Sequence, residues 1–264
     1  CQRIGRQYGL YDKALFHTDV QSLVWQANEQ RWRITTQRGD DFTASFIGMG
    51  TGPLHVPKLP GIPGIEGFKG HAFHTSRWDY AYTGGDSTGN LHKLADKRVG
   101  IIGTGASGIQ VAQEASKVST HVTVFQRTPN FSIPAWNGPL PEDQRKAMKG
   151  EYRNLRRKAR NSYAGDYADE YYLTIMAMTP EQREAEFELR WREGGFNYQY
   201  AFRDMMEDPQ ANELAADFVR RKIRATVSDP ITAEALCPKD HPIGSKRLCV
   251  DTGYYETFNR PNVT

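Results

Sequence analysis

An α/β fold is predicted by three observations. The first part of the chain alternates like β-strands, the middle reads strand, glycine turn, helix, strand, and a long charged helical stretch follows. The 264 residues are 38% hydrophobic and 25% charged, which suits one large or two ordinary domains and excludes general disorder. A formal net charge of +3 gives no case for a nucleic-acid partner, although local Arg and Lys would suit an anionic small molecule. No apolar run approaches the roughly 18 residues that cross a bilayer, so no membrane partner is expected. The opening "CQRIGRQYGL" has no hydrophobic leader. Cys1, Cys237 and Cys249 form neither a CxxC nor a metal-ligand spacing. No metal is therefore expected, and a reduced, cytoplasmic protein is the plainest reading. A chain that starts with Cys rather than Met is expected to be part of a longer one.

The elements follow in order. After a short helix, "ALFHTDVQSLVWQ" is β-rich, and "RWRITTQRG" sets Trp32 and Ile34 against Arg31, Arg33 and Thr35 with a period of two. "DFTASFIGMG" repeats the alternation through Phe42, Ala44 and Phe46, so an antiparallel meander is expected. Residues 51–67, "TGPLHVPKLPGIPGIEG", are too rich in Pro and Gly for a helix or a central strand and read as a linker. Then "KRVGIIGTGASGIQVAQEASKVSTHVTVFQRTPN" reads as a βαβ unit of the expected ~30 residues. From about 140 to 230 the texture is helical and charged, and its Arg and Glu are expected on a solvated face. Thr179-Pro180-Glu181-Gln182 predicts a capping box, and Ala215, Phe218, Val219 and Ile223 recur at helical spacing. The final "YYETFNRPNVT" offers a Pro-Asn turn and no closing element.

Gly103-Thr104-Gly105-Ala106-Ser107-Gly108 is a GxGxxG, a weak signal alone that its context strengthens. Val99, Ile101 and Ile102 form the expected buried strand before it; Ile109, Val111 and Ala112 open a helix after it. Gly103 permits a tight turn, Gly105 lets a pyrophosphate approach the backbone, and Gly108 lets helix and strand pack closely. The helix N-terminus then offers free N–H groups to phosphates. This is a Rossmann-like unit. An NAD enzyme would carry Asp or Glu about 20 residues on, to bind the ribose hydroxyls. Here the second strand ends in Gln126-Arg127-Thr128. Arg127 can form charge-assisted bonds to a 2′-phosphate and Thr128 can add a hydroxyl, so NADP is preferred over NAD.

A denser cluster precedes the loop, in "FKGHAFHTSRWDY". By itself a histidine among aromatics is usually a packing residue. Phe68-x-Gly70-x-x-x-His74-x-x-x-Trp78-Asp79, however, resembles the fingerprint of type I Baeyer–Villiger monooxygenases, in the flavin-containing monooxygenase superfamily. N- and S-oxygenating relatives usually have Tyr or Phe where Trp78-Asp79 stands. "GTGPLHVPKLPGIPG" resembles the family's strand-end and linker after the flavin domain, though Gly50 stands where Ala is commoner. "GTGASGIQ" resembles its NADP loop, "VFQRTPNFSIPAWN" its second strand, and "RKIRATVSDPITAEALCPKDHPIGSKRLCVDTGYYETFNRPNV" the stretch after its helical insertion.

The resemblance implies a two-dinucleotide-binding-domain flavoprotein: residues 1–53 as part of an FAD-binding domain, 54–96 as a linker with the fingerprint, and 97–264 as an NADP-binding domain with the helical insertion. It implies NADP(H) and FAD as cofactors, with Gln110, Thr51 and Gly52 joining the cofactor-binding residues. A ketone and O2 are the implied substrates, one oxygen atom being inserted to give an ester or lactone. The fingerprint is implied to couple movement of the two cofactor modules, Gly70 allowing a backbone bend, with His74 and Trp78 as contacts. Composition alone would make Lys246-Arg247 a solvated pair. In the family, the matching Lys adds to the 2′-phosphate site and the matching Arg serves the reaction. A permanent cation there would stabilise negative charge developing on oxygen, and Arg, unlike Lys, keeps its charge on burial.

Nothing before Gly50 resembles the family's flavin-binding GxGxxG, and its C-terminal half has no counterpart. The chain is thus expected to be the central part of a monooxygenase, inactive in isolation. Two alternatives stand beside this: an N- or S-oxygenating flavin-containing monooxygenase, or a non-catalytic NADP-binding module.

Overall fold

Cross-strand pairing follows the alternation. After α1 (Gln2–Gln7), β1 (Val20–Gln26), β2 (Arg31–Thr36) and β3 (Asp41–Ala44) form an antiparallel sheet in the order β1-β2-β3. The register sets Leu23 opposite Ile34 and Ile34 opposite Phe42; Trp25 lies opposite Trp32, and Trp32 opposite Ala44. All six side chains therefore share one face, and the two indole rings meet edge to face with centroids 5.5 Å apart. The expected alternation through Phe46 stops short. The third strand ends at Ala44, Phe42 is 43% exposed and Phe46 is 91% exposed, and among the described residues no further strand pairs with β3.

The computed structural model describes residues 1–52, 54, 56–162, 165 and 173–264 as two units, Cys1–Arg77 and Trp78–Thr264. Pro53 and His55 of the expected linker, and residues 163, 164 and 166–172 of the expected helical insertion, lie outside the described residues.

In the second unit, α2 (Tyr80–Thr83) leads to β4 (Arg98–Ile102), α3 (Ala106–Ser116) and β5 (His121–Phe125), with β4 and β5 parallel. Ile101, Ile109, Ala112 and Val122 are buried between helix and sheet. Ile102, expected to be buried, is 59% exposed at the strand's C-terminal end, where the chain turns away into the glycine loop. The chain's last residues do close the sheet, against expectation. Val122 N–H donates to Asn262 O, Thr264 N–H to Val122 O, and Val124 N–H to Thr264 O, so residues 262–264 run beside β5.

Next come β6 (Ser132–Pro134) and the helices α4 (Glu142–Gly150), α5 (Tyr152–Asn161), α6 (Pro180–Glu193), α7 (Asn197–Tyr200), α8 (Pro209–Thr226) and α9 (Pro230–Leu236). Strand β7 (Cys249–Asp251) pairs in parallel with β6, and α10 (Tyr254–Thr257) follows. The capping box forms as spaced: Gln182 N–H donates to Thr179 Oγ1, and Thr179 N–H to Gln182 Oε1. Ala215, Phe218, Val219 and Ile223 are fully buried, and Phe218 meets Phe187 and Tyr198 in an aromatic cluster. The charged face is mostly solvated, but not wholly. Arg190 and Arg220 are buried, Arg190 bonding Glu186 and Glu193 at i−4 and i+3.

Candidate functional site

The glycine loop is shaped by two of its three glycines. Gly103 takes φ +101° and donates its N–H to Phe125 O at 3.0 Å, which fixes the turn against β5. A Cβ on Gly108 would meet Gly103 O at 2.1 Å, so α3 passes the turn too closely for any side chain. At Gly105 a Cβ would meet nothing within 4 Å. Gly105 is the N-cap of α3 and makes no side-chain cap bond. The first-turn N–H groups of Ala106, Ser107 and Gly108 therefore lack intrahelical acceptors, and the loop is open at Gly105, as an anion site requires. Gln110 is exposed, but its Nε2–H donates to Ala106 O, one turn back in its own helix.

Thr104 Oγ1–H donates to Thr128 O at 3.2 Å, tying the loop to the end of the second strand. Arg127 is exposed and has no ion-pair partner among the described residues. From there, Asn130 Nδ2 donates to Arg247 O at 3.0 Å and to Cys249 Sγ at 3.2 Å, and Cys249 N–H donates to Phe131 O at 3.0 Å. The β6–β7 pair thus sets the segment after Arg127 beside the one carrying Lys246 and Arg247, both exposed. Behind the pair, the buried Asp251 carboxylate accepts from Ser132 Oγ, Gly253 N and Tyr254 N, and Tyr255 OH accepts from Ser132 N. Burial pushes the Tyr254 and Tyr255 hydroxyls up, so both stay neutral beside the carboxylate. Sequence reasoning missed Asn130, Ser132 and Asp251 as the clasp behind these residues; only "DTG", an Asx-type turn signal, hinted at Asp251.

The remaining candidates are Thr51, Gly52 and the fingerprint residues. Thr51 and Gly52 are exposed in the first unit; Gly52 has φ +68° with nothing within 4 Å of a Cβ. Within the fingerprint, His74 Nδ1 accepts from Ser76 N and lies 2.8 Å from Ser76 Oγ, fixing the turn that follows it. Trp78 Nε1–H donates to Thr83 Oγ1, and Asp79 Oδ1 accepts from Tyr82 N as the N-cap of α2. The chain bends at Gly70, as expected, without a positive φ there. The Phe68 ring lies over it, with Cζ 2.4 Å from where a Cβ would stand.

Among the described residues no group of His, Cys, Asp and Glu is placed to hold a metal, and no helix is long and apolar enough to cross a membrane. A family model described as flavin-binding monooxygenase-like matches residues 2–136. Baeyer–Villiger monooxygenase ATR8 of Stachybotrys chlorohalonatus is 39% identical, over 100% of this chain and 42% of that protein. Cyclohexanone 1,2-monooxygenase of an Acinetobacter species is 37% identical, over 99% of this chain and 46% of its own length. A solved structure of an oxidized steroid monooxygenase bound to NADP matches with a TM-score of 0.88 at 39% identity, over 100% of this chain and 49% of that one. The chain spans about half the length of the relatives it matches.

Proposed function

This chain belongs to the flavin-binding monooxygenase-like family, and from that premise we propose that it is the NADP-binding part of an FAD- and NADPH-dependent Baeyer–Villiger monooxygenase. The whole protein inserts one atom of O2 into a ketone to give an ester or lactone. One observation carries the reading: a Baeyer–Villiger monooxygenase is 39% identical over 100% of this chain.

The residues present fit the nicotinamide dinucleotide. The open side of Gly105 and the free N–H groups of α3 receive the pyrophosphate. Arg127 and Lys246, on segments joined by β6 and β7, grip the 2′-phosphate. For FAD the described residues would supply Thr51 and Gly52, where a Cβ would meet nothing within 4 Å. When bound, the two cofactors supply a hydride and an activated dioxygen. The chain's own task is to bind, orient and hold charge. Asn130 fixes the Arg247 carbonyl, so the guanidinium starts from a set backbone position, and its permanent charge stabilises oxygen that becomes negative during attack on the ketone. The fingerprint holds a compact turn and a capped helix at the change of units. A cytoplasmic location belongs to the same proposal, supported by the buried free thiols of Cys237 and Cys249.

Calorimetry tests the binding half: NADP+ is expected to bind at least about tenfold more tightly than NAD+, since one charged hydrogen bond contributes roughly 1.5–3 kcal/mol. Equal affinities would refute it. For the chemistry, Arg247→Ala in the complete enzyme is expected to lower lactone formation from a cyclic ketone by ~10²–10³, with flavin reduction by NADPH retained. A complete enzyme that oxygenates amines or sulfides and leaves ketones untouched would replace this reading with the N- or S-oxygenating one.

A further inference from the structure

The segment that presents Lys246 and Arg247 is held from two sides. On one side stand Asn130 and Phe131, as described above. On the other stands Asn212, in the first turn of α8 and 7% exposed. Its Nδ2 donates to Ile243 O at 2.9 Å and to Met205 O at 2.8 Å, while its Oδ1 accepts from Ile243 N at 3.0 Å. The side-chain amide thus pairs with the Ile243 peptide as a neighbouring strand would, and both its N–H donors are used. Ile243 is fully buried. The next residue, Gly244, takes φ +87°, and a Cβ there would meet Met206 Sδ at 2.6 Å. Ser245 closes the turn with N–H and Oγ–H bonds to Pro242 O. Lys246 follows Ile243 by only three residues, roughly 10 Å of chain at most.

We propose that Asn212 is a positioning residue for Lys246, and that the helical insertion sets dinucleotide selectivity through it. The inference rests on the reading that Lys246 grips the 2′-phosphate. Asn212 touches no ligand. It fixes the backbone from which Lys246 reaches, while Lys246 and Arg247 stay exposed between the two clasps. Aspartate could not replace it, because a carboxylate would face the Met205 and Ile243 carbonyls without a proton to share.

The test is calorimetry with NADP+ and NAD+ on the full chain, together with amide hydrogen exchange at Ile243. Asn212→Ala is expected to lower the NADP+/NAD+ affinity ratio about tenfold, mostly by weakening NADP+, and to speed exchange at Ile243. In a Lys246→Ala background the same change should leave the ratio unmoved, since the two residues act as one unit. Ile223→Val, a destabilising change in the same helix, should leave the ratio at its wild-type value. If Asn212→Ala does not fold, the wild type suffices. By linkage, NADP+ must protect the Ile243 amide more than NAD+ does at equal saturation. Equal protection, or an unchanged ratio in a folded Asn212→Ala, overturns the inference while the site reading stands. A wild type with no preference for NADP+ overturns both.

Discussion

His241 occupies the loop that leads to Lys246, its ring edge-on to Phe131 with centroids 5.5 Å apart. Both ring nitrogens are shut off from solvent without a hydrogen-bond partner among the described residues. Burial lowers its pKa below the ordinary 6.5; the Lys246 charge adds to that, and Asp240 opposes it. A proton that binds the unfolded chain more readily than the folded one destabilises the fold as pH drops. Stability is therefore whole above 6.5 and declines below it. His241→Phe keeps the ring contact and removes two orphaned polar atoms, so it should stabilise by about 1 kcal/mol at neutral pH. Urea unfolding at pH 7.5 and 5.5 should show a smaller loss for the variant than for the wild type; identical losses would remove His241 from the acid response. The sequence singled out Gly108 and not His241, and the reason is physical. Gly108 answers to a carbonyl five residues away, whereas His241 meets Phe131 across more than a hundred residues, where no spacing rule reaches.

Elements show the same division. The capping box at Thr179 could be read because both its hydrogen bonds lie within four residues. Thr179→Ala should cost about 1 kcal/mol, read as a shift in urea midpoint at unchanged slope, and an unshifted midpoint would mean that α6 is held by packing alone. Strands β6 and β7 left no such trace. Each is three residues long, and Ser132 pairs with Cys249, so neither carries an alternation long enough to notice. Yet this pair brings the Arg127 and Lys246 segments together. The helices also hold an acid-sensitive junction. Arg224 and Lys239 hold the Glu234 carboxyl at about 2, down from its ordinary 4.5, which ties α9 to α8. Its contribution is present above pH 4.5 and lost as pH falls toward 2. Glu234→Gln should flatten the acid unfolding curve in that window, and an unaltered curve would show the ion pairs to be idle.

At the scale of the molecule, packing is unequal between the two units. Every member of the main apolar cluster, from Ile101 to Tyr255, belongs to Trp78–Thr264. In Cys1–Arg77, Ile34 is the one buried large apolar residue among those described, while Phe46, Met49 and Leu54 are each at least 75% exposed. The strand pattern of the first unit was visible in the sequence; the exposure of its described apolar side chains within this chain was not, because alternation reports which face is apolar and not whether anything covers it. Burial of apolar area is the main favourable term in folding, and residues 1–77 by themselves bury too little of it among the described residues to offset their conformational entropy. Residues 78–264 expressed alone should therefore unfold in one cooperative transition, with a urea midpoint close to that of the full chain, and should keep the preference for NADP+. Residues 1–77 alone should show no cooperative transition by circular dichroism. A midpoint that collapses on removing residues 1–77, or a sharp transition in the short piece, would mean that the first unit contributes stability its buried surface does not explain.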